Sequence, residues 1–410
     1  MPSGRGLVVF AAGCSMWITA RFFGSPGLAM VGVGIAILPF AAAFSARRAT
    51  RRLAVTRRLS DVRVGPGTRV NVGIEAENRS LAPTSFLLLE DKIPSALGRP
   101  ARLVLTGLPS RRSQEVSYTV LPQTRGRYSL GPMRIDVSDP FALSRRWLEF
   151  PHLDELLVTP EIEDLATAPS SPFGSTIGNS RAKNLFRTGE EFYTMREYHT
   201  GDDLRRLHWP SVAKTGELMI RQDETSRRSS ALVFIDNRQA AIGLTHTPAF
   251  ERAVSCAASV GVLLAGGGFS LRLATADSAA AAVTQDSFLD SLAAIGHTPT
   301  RTLGPALSRL RAGSGTETTL VLVAALPPSQ ELGSLIRTGA TFGPKLAVFV
   351  YPVEPQTLPG DGQSQLEGRA SQARLSLTRA GWDVFVLPPS SRLRDLWHNA
   401  PREPRFASIV

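Results

Sequence analysis

Cysteine is almost absent from this sequence. Cys14 and Cys256 are the two in 410 residues, too few for a disulfide framework and without the spacing of a zinc site. Histidine is scarce, at six, and no His-Glu-x-x-His occurs. Gly266-Gly267-Gly268 lacks both the phosphate-binding lysine and the dinucleotide spacing, and Gly313-Ser314-Gly315 lacks the spacing of a nucleophile elbow. No motif for a cofactor is present, and none is expected to bind. Acidic residues are outnumbered, 35 against 46 basic, leaving a formal charge of +11. Such an excess asks for an anionic neighbour, nucleic acid or lipid headgroups. At 43% apolar and 20% charged residues the chain is not a disordered polyelectrolyte, and its length suits about two to four domains.

What is present begins with long uncharged runs. Residues 6–20 carry no charge, Arg21 interrupts, and 22–46 are again free of ionisable groups. About 20 apolar residues cross a bilayer core, so 27–46 qualifies alone, and the first run qualifies if Arg21 snorkels to the interface. Gly24-Ser25-Pro26 supplies a tight turn. Arg47, Arg48, Arg51, Arg52, Arg57 and Arg58 follow the second run and Arg5 precedes the first, with only Arg21 between them. Positive flanks stay inside, which places everything after the hairpin in the cytosol, beside anionic headgroups. A cleaved signal peptide fits less well, because no small-x-small site precedes a polar start. Ala11-Ala12-Gly13-Cys14 resembles a lipoprotein site only faintly, since apolar sequence continues past Cys14.

From 70 to 77 apolar and polar residues alternate, the period of a half-buried strand. Further short strand patterns at 86–89, 103–105, 116–121, 127–130 and 133–137 are separated by Gly and Pro turns. They predict an antiparallel sandwich of immunoglobulin size, either a spacer or a binding module. Residues 160–179, rich in Ala, Pro, Ser and Gly, read as a linker or long excursion.

The densest charge lies between 187 and 214: Arg187, Glu190, Glu191, Arg196, Glu197, His199, Asp202, Asp203, Arg205, Arg206, His208 and Lys214, with Tyr198, Gly201 and Trp209 among them. Residues 192–198 predict an extended segment, Pro210 opens a helical turn that Gly216 ends, and 218–221 alternate as a strand. Asp202 and Asp203 are adjacent, so their side chains diverge and cannot pair as a glycosidase dyad unaided. Alternating signs point instead to a network in which Arg196, Arg205 or Arg206 forks onto Glu191, Glu197 or Asp202.

The pattern Gly189-x-Glu191-Phe192-x3-Arg196-Glu197-Tyr198-x2-Gly201-Asp202-Asp203-x-Arg205-x2-His208-Trp209-x4-Lys214 resembles the signature of the bacterial family called domain of unknown function 58. The hairpin, Arg125-Gly126-Arg127-Tyr128-x2-Gly131-Pro132 and Asp139-Pro140-Phe141 agree with it. The resemblance implies a von Willebrand factor A-like domain and the company of MoxR-type AAA+ ATPases, with a role in assembly and no established reaction.

Independently of that resemblance, residues 229–400 alternate strands and helices. Strands are expected at 231–235, 269–274, 320–325, 346–351 and 384–387, with helices at 250–264, 288–295, 303–310, 332–337 and 371–380. That is a mostly parallel, doubly wound sheet. Residues 360–372 read as a polar surface loop. Ligands of such sheets bind beyond the strands' carboxyl ends, which puts Asp236 at the expected place. A von Willebrand-type metal site resembles Asp-x-Ser-x-Ser; here it reads Asp236-Asn237-Arg238-Gln239-Ala240, with both hydroxyls lost and a positive charge where a cation would sit. Asp236 is therefore expected to mark a degenerate site, paired with Arg238 or capping the loop.

The expected layout is multidomain: a transmembrane hairpin over 1–46, a basic juxtamembrane segment over 47–58 and an immunoglobulin-like sandwich over 59–150. A linker and the charged segment then occupy 151–228, an α/β domain 229–400, and a tail 401–410. The leading functional expectation is a cell-membrane, cytosol-facing, non-enzymatic protein that docks a partner such as a MoxR-type AAA+ ATPase. Glu191, Arg196, Glu197, Tyr198, Gly201, Asp202, Asp203, Arg205, His208, Trp209 and Lys214 would carry the docking or structural network. One alternative is an enzyme or metal-dependent binder using Asp202, Asp203 and His208; another is an outward-facing β-rich receptor. Nucleic acid is not the expected partner, because the basic excess gathers beside the apolar runs.

Overall fold

The computed structural model describes residues 3–50, 52–81, 83–84, 86–139, 141–166, 193–199, 209–223 and 230–399. The chain divides into two units, Met1–Thr159 and Pro160–Val410.

The first unit starts with α1 (Gly4–Phe22) and α2 (Pro26–Thr50). The Ser3 hydroxyl caps α1 by accepting from the Gly6 N–H at 3.1 Å, and Gly24, at φ +64°, turns the chain into Pro26. Small residues let the helices touch: a Cβ on Gly13 would lie 2.5 Å from the Ala36 nitrogen, and one on Gly32 2.7 Å from that of Trp17. Among the described residues two helices are long and apolar enough to cross a membrane, the Pro26–Arg48 part of α2 and Pro248–Gly266. The first is largely unburied, whereas the second is packed inside the other unit. The shorter α1 is not one of them.

Ten strands follow. β1 (Leu53–Leu59), β3 (Val70–Asn78) and β6 (Ser113–Val120) form one antiparallel sheet. β4 (Leu87–Asp91), β5 (Ala101–Leu105), β8 (Met133–Ser138) and β9 (Arg145–Phe150) form a second, in the order β5-β4-β8-β9. β2 (Arg63–Val64), β7 (Gly126–Leu130) and β10 (Asp154–Val158) form a third. Alternation in β3 sends Val70, Val72, Ile74 and Ala76 inward. Ile74 and Ala76 pack on Leu87, Leu89 and Ile135, while Val70 and Val72 pack on Leu130, Leu156 and Val158. The result is a sandwich whose pairings are antiparallel except that β2 runs parallel to β10, a departure from the all-antiparallel expectation.

The basic run expected over 47–58 is divided by this architecture. Arg47 and Arg48 lie in the last turn of α2, but Arg57 and Arg58 are strand residues of β1. The Arg57 side chain is 2% exposed. Its Nε donates to Asp91 Oδ2 at 3.0 Å, its Nη1 to Asp154 Oδ2 at 2.6 Å, and its Nη1 also to the Leu130 carbonyl at 3.0 Å. The Tyr118 hydroxyl adds a donor to Asp91 Oδ2 at 2.7 Å. Burial works against the Arg57 charge, but the two carboxylates outweigh it and hold its pKa above the ordinary value. Strand β10 also belongs to this sandwich, although its residues fall in the expected linker.

In the second unit, residues 160–166 are strapped down instead of forming a linker. Leu165 is buried, the Glu163 N–H donates to Ser259 Oγ at 2.9 Å, and the Glu163 carboxylate accepts from Arg252 Nη1 at 2.7 Å. The rest of the 160–179 excursion lies outside the described residues. β11 (Tyr193–Glu197) pairs antiparallel with β12 (Met219–Asp223), and α3 (Trp209–Thr215) lies between them in sequence. The main sheet has the order β15-β14-β13-β16-β17-β18. Its strands are β13 (Ser230–Ile235), β14 (Ser270–Thr275), β15 (Ala281–Val283), β16 (Thr318–Ala325), β17 (Lys345–Val350) and β18 (Asp383–Leu387). All its pairings are parallel except that of the edge strand β15.

Helices cover both faces. On one side Ala231, Val233 and Ile235 pack under α5 (Pro248–Gly266) and α6 (Gln285–Ala294), which follow the short α4 (Gln239–Ile242). On the other, Leu232 and Phe234 pack under α7 (Gly304–Ala312), α8 (Ser329–Gly339) and α9 (Gly360–Arg379). All eight residues of β16 are buried, as a central parallel strand requires. The expected loop over 360–372 is corrected to a helix. Leu366, Ala370, Ala373 and Leu377 form a buried stripe at helical spacing, which the surrounding glycines disguise. The last helix among the described residues, α10 (Leu393–Asn399), returns Leu393 and Trp397 to the first face.

Candidate functional site

Strand order reverses between β13 and β16, so the crevice beyond their carboxyl ends is where an open α/β sheet offers a binding place. Asp236 follows β13 directly, fixed by donation of its N–H to the Val323 carbonyl of β16 at 2.8 Å. Its carboxylate turns back on the loop, accepting from the Arg238 N–H at 3.2 Å. The same two oxygens accept from the Arg238 side chain, Oδ1 from Nε at 2.8 Å and Oδ2 from Nη2 at 2.7 Å. The far edge of the guanidinium meets Glu331, with Nη1 to Oε1 at 3.0 Å and Nη2 to Oε2 at 3.1 Å. Nη1 also donates to the Arg301 carbonyl at 3.1 Å. Glu331 stands in the first turn of α8, where the helix dipole favours an anion.

Arg238 is thus forked onto two carboxylates, the geometry a guanidinium suits best. Burial opposes its charge, and Asp236 and Glu331 together win, holding its pKa well above the ordinary value. Neighbouring contacts lock the loop. Asn237 donates to the Gly296 carbonyl at 2.8 Å and accepts from the Ala276 N–H at 3.1 Å, and the Thr298 N–H donates to the Asn237 carbonyl at 2.8 Å.

These residues do not fit a divalent cation. The position of one expected hydroxyl ligand is Arg238 and that of the other is Ala240. The two carboxylates that could ligate are already neutralised by the guanidinium between them. Among the described residues no three His, Cys, Asp or Glu side chains come together as a metal-holding group.

The signature segment is described in part. Arg196 and Glu197 lie in β11, opposite Ile220 and Met219 of β12. The Tyr198 N–H extends the ladder to the Leu218 carbonyl at 2.8 Å. His199 Nδ1 donates to the Glu197 carbonyl at 3.2 Å. Trp209 opens α3 and is 69% exposed, Lys214 lies exposed in its last turn, and Gly216, at φ +75°, ends it. Glu191, Gly201, Asp202, Asp203, Arg205 and His208 lie outside the described residues. The expected forks from Arg196, Arg205 and Arg206 involve side chains outside them too.

Sequence reasoning missed Glu331. The available signal was topological: the loop after β16 must lie beside the loop after β13, and Glu331 opens the helix that follows.

Residues 194–383 match the family model described as "Protein of unknown function DUF58". The chain carries the DUF58 region. It runs from β11 into β18 and contains Asp236, Arg238 and Glu331. A curated relative, the uncharacterized protein YeaD of Bacillus subtilis (strain 168), is 24% identical over 234 residues, 55% of this chain and 56% of YeaD. The match therefore spans about half of that DUF58-like relative's length. Among solved structures, the CARDB domain of the PF1109 protein from Pyrococcus furiosus, in complex with di-metal ions, is 13% identical. It covers 26% of this chain and 91% of its own, with a TM-score of 0.20. The human complex of zinc 2-glycoprotein with prolactin inducible protein is 10% identical over 27% of this chain and 97% of that one, with a TM-score of 0.21. Neither likeness carries an argument about this chain.

Proposed function

We propose that this DUF58 chain is a membrane-anchored, non-enzymatic assembly protein that docks a cytosolic partner, a MoxR-type AAA+ ATPase. The observation that carries the reading is the guanidinium of Arg238. It fills the crevice where a doubly wound sheet would otherwise take a ligand, and every nitrogen of the group donates within the chain. Recognition then falls to exposed surface. Trp209, at the start of α3, and Leu218, just before β12, are both exposed and supply the kind of aromatic and aliphatic anchor that dominates protein interfaces. The strand order, with its antiparallel edge, supports a von Willebrand factor A-like reading of the α/β domain, and the sandwich is read as immunoglobulin-like.

The anchor is α1 with α2, crossing as a hairpin. Arg57 and Arg58 belong to β1, yet Arg47, Arg48, Arg51 and Arg52 still outweigh Arg21, which keeps the sandwich on the cytosolic side. The test is recovery of the tagged full-length chain from membranes in mild detergent. An AAA+ ATPase is expected to accompany the wild type and to fall at least tenfold with Trp209→Ala. No ATPase with the wild type, or full recovery with Trp209→Ala, overturns the docking.

A further inference from the structure

We propose that the end of the β-sandwich nearest α1 and α2 is itself a lipid-binding surface, seating the sandwich on an anionic bilayer. This rests on the reading of the helical pair as a membrane anchor. The turn between β8 and β9 is bonded to the start of α1: the Ser3 N–H donates to the Leu143 carbonyl at 2.8 Å, and Ser3 Oγ to the Ala142 carbonyl at 2.5 Å. The approach is so close that a Cβ on Gly6 would fall 2.2 Å from the Leu143 oxygen. A helix that crosses a bilayer has its end at headgroup level, so a turn bonded to that end lies at the same level.

The turn presents an aromatic group there and is built to do so. Asp139 braces it, accepting from the Phe141 N–H at 2.9 Å and from the Ser144 N–H, and Ala142 takes φ +56°. Phe141 is left 73% exposed. Strand register brings two more apolar side chains to this end. Leu87 pairs with Val137, so Phe86 lies beside the turn; Leu53, where the chain arrives from α2, pairs with Asn78, so Leu81 follows at the same end. Both are exposed. Arg145 opens β9 there, paired with Asp136 and 4.7 Å from the centroid of the exposed Trp147 ring. Exposed aromatics beside arginine, level with a helix end, match the amphipathic chemistry of a bilayer interface. Continuity with the anchor favours lipid over a protein partner.

Nitroxide depth measurements on the full chain test this, in nanodiscs of phosphatidylcholine with phosphatidylglycerol and in a Cys14→Ala background. The Cys256 thiol is buried, and burial pushes its pKa up, so it escapes labelling. Labels go at Phe141→Cys and Phe86→Cys, at Phe40→Cys within α2, and at Val62→Cys at the opposite end of the sandwich. Collisions with oxygen should exceed those with a water-soluble nickel chelate at 40, 86 and 141, and the order should reverse at 62. Lipid contact at 40 with water contact at both 86 and 141 overturns the proposal and leaves the anchor standing. Water contact at 40 removes the anchor and the proposal together. Labels at 86 and 141 are independent, so one folded variant suffices.

Discussion

Two buried arginines organise the two units, and they do different things with the same chemistry. Arg57 and Arg238 each fork onto a pair of carboxylates and each donate to a backbone carbonyl. Arg57 is surrounded by β4, β7 and β10, at the junction of all three sheets of the sandwich, and clamps them together. Arg238 stands at the open end of a parallel sheet, where topology supplies a crevice, and fills it. Burial and pairing are alike, so neither distinguishes a clamp from a plug. Position in the strand order does.

The largest expected effect comes from breaking the clamp. Arg57→Met strands Asp91, which is fully buried, and Asp154, and removing one partner of such a pair costs about 3–5 kcal/mol. Thermal unfolding of the full chain should lose its sandwich transition or show it at much lower temperature, with partial recovery on adding Asp91→Leu. Breaking the plug should cost less, about 1–3 kcal/mol, because Glu331 is partly open to water. Arg238→Ser also restores a hydroxyl beside Asp236. Magnesium is expected to raise the Tm of that variant and leave the wild type unmoved; an equal rise in both sinks the plug.

A smaller effect separates the two sites by pH. Burial and the bond to Asp91 push the Tyr118 phenol above its ordinary pKa of about 10. The folded state therefore holds this proton more tightly than the unfolded state does. The stabilisation is complete below pH ~10 and is lost as pH rises beyond it. Denaturant midpoints between about pH 8 and pH 11 should fall more steeply in wild type than in Tyr118→Phe. Smallest is Trp209→Ala, whose exposure predicts a stability change within about 0.5 kcal/mol. Normal unfolding of that variant would show that any loss of partner is a loss of surface.

Legibility in the sequence followed the range of the interaction. Continuous apolar runs gave the parallel strands, because burial on both faces admits little else. The pairing of Asp236 with Arg238 was readable because the residues are two apart. The involvement of Glu331 was not, since nothing local links it to Asp236. Arg57 was misplaced for the converse reason: it sits in a run of arginines that resembles a membrane flank, and only Asp91 and Asp154, distant in sequence, reveal it as core. The α9 stripe was hidden by glycines that argue for a loop. The signature hairpin was half legible. Pro210 and Gly216 mark α3, but the β11–β12 register depends on pairing across the whole excursion.

The bond from Tyr198 to Leu218 has a practical corollary. It holds Tyr198 and Leu218, the two ends of the segment that joins β11 to β12, against each other. The β11–β12 ladder is therefore separable in principle from that segment: replacing it by a short turn should leave the pairing of Tyr193–Glu197 with Met219–Asp223 in register.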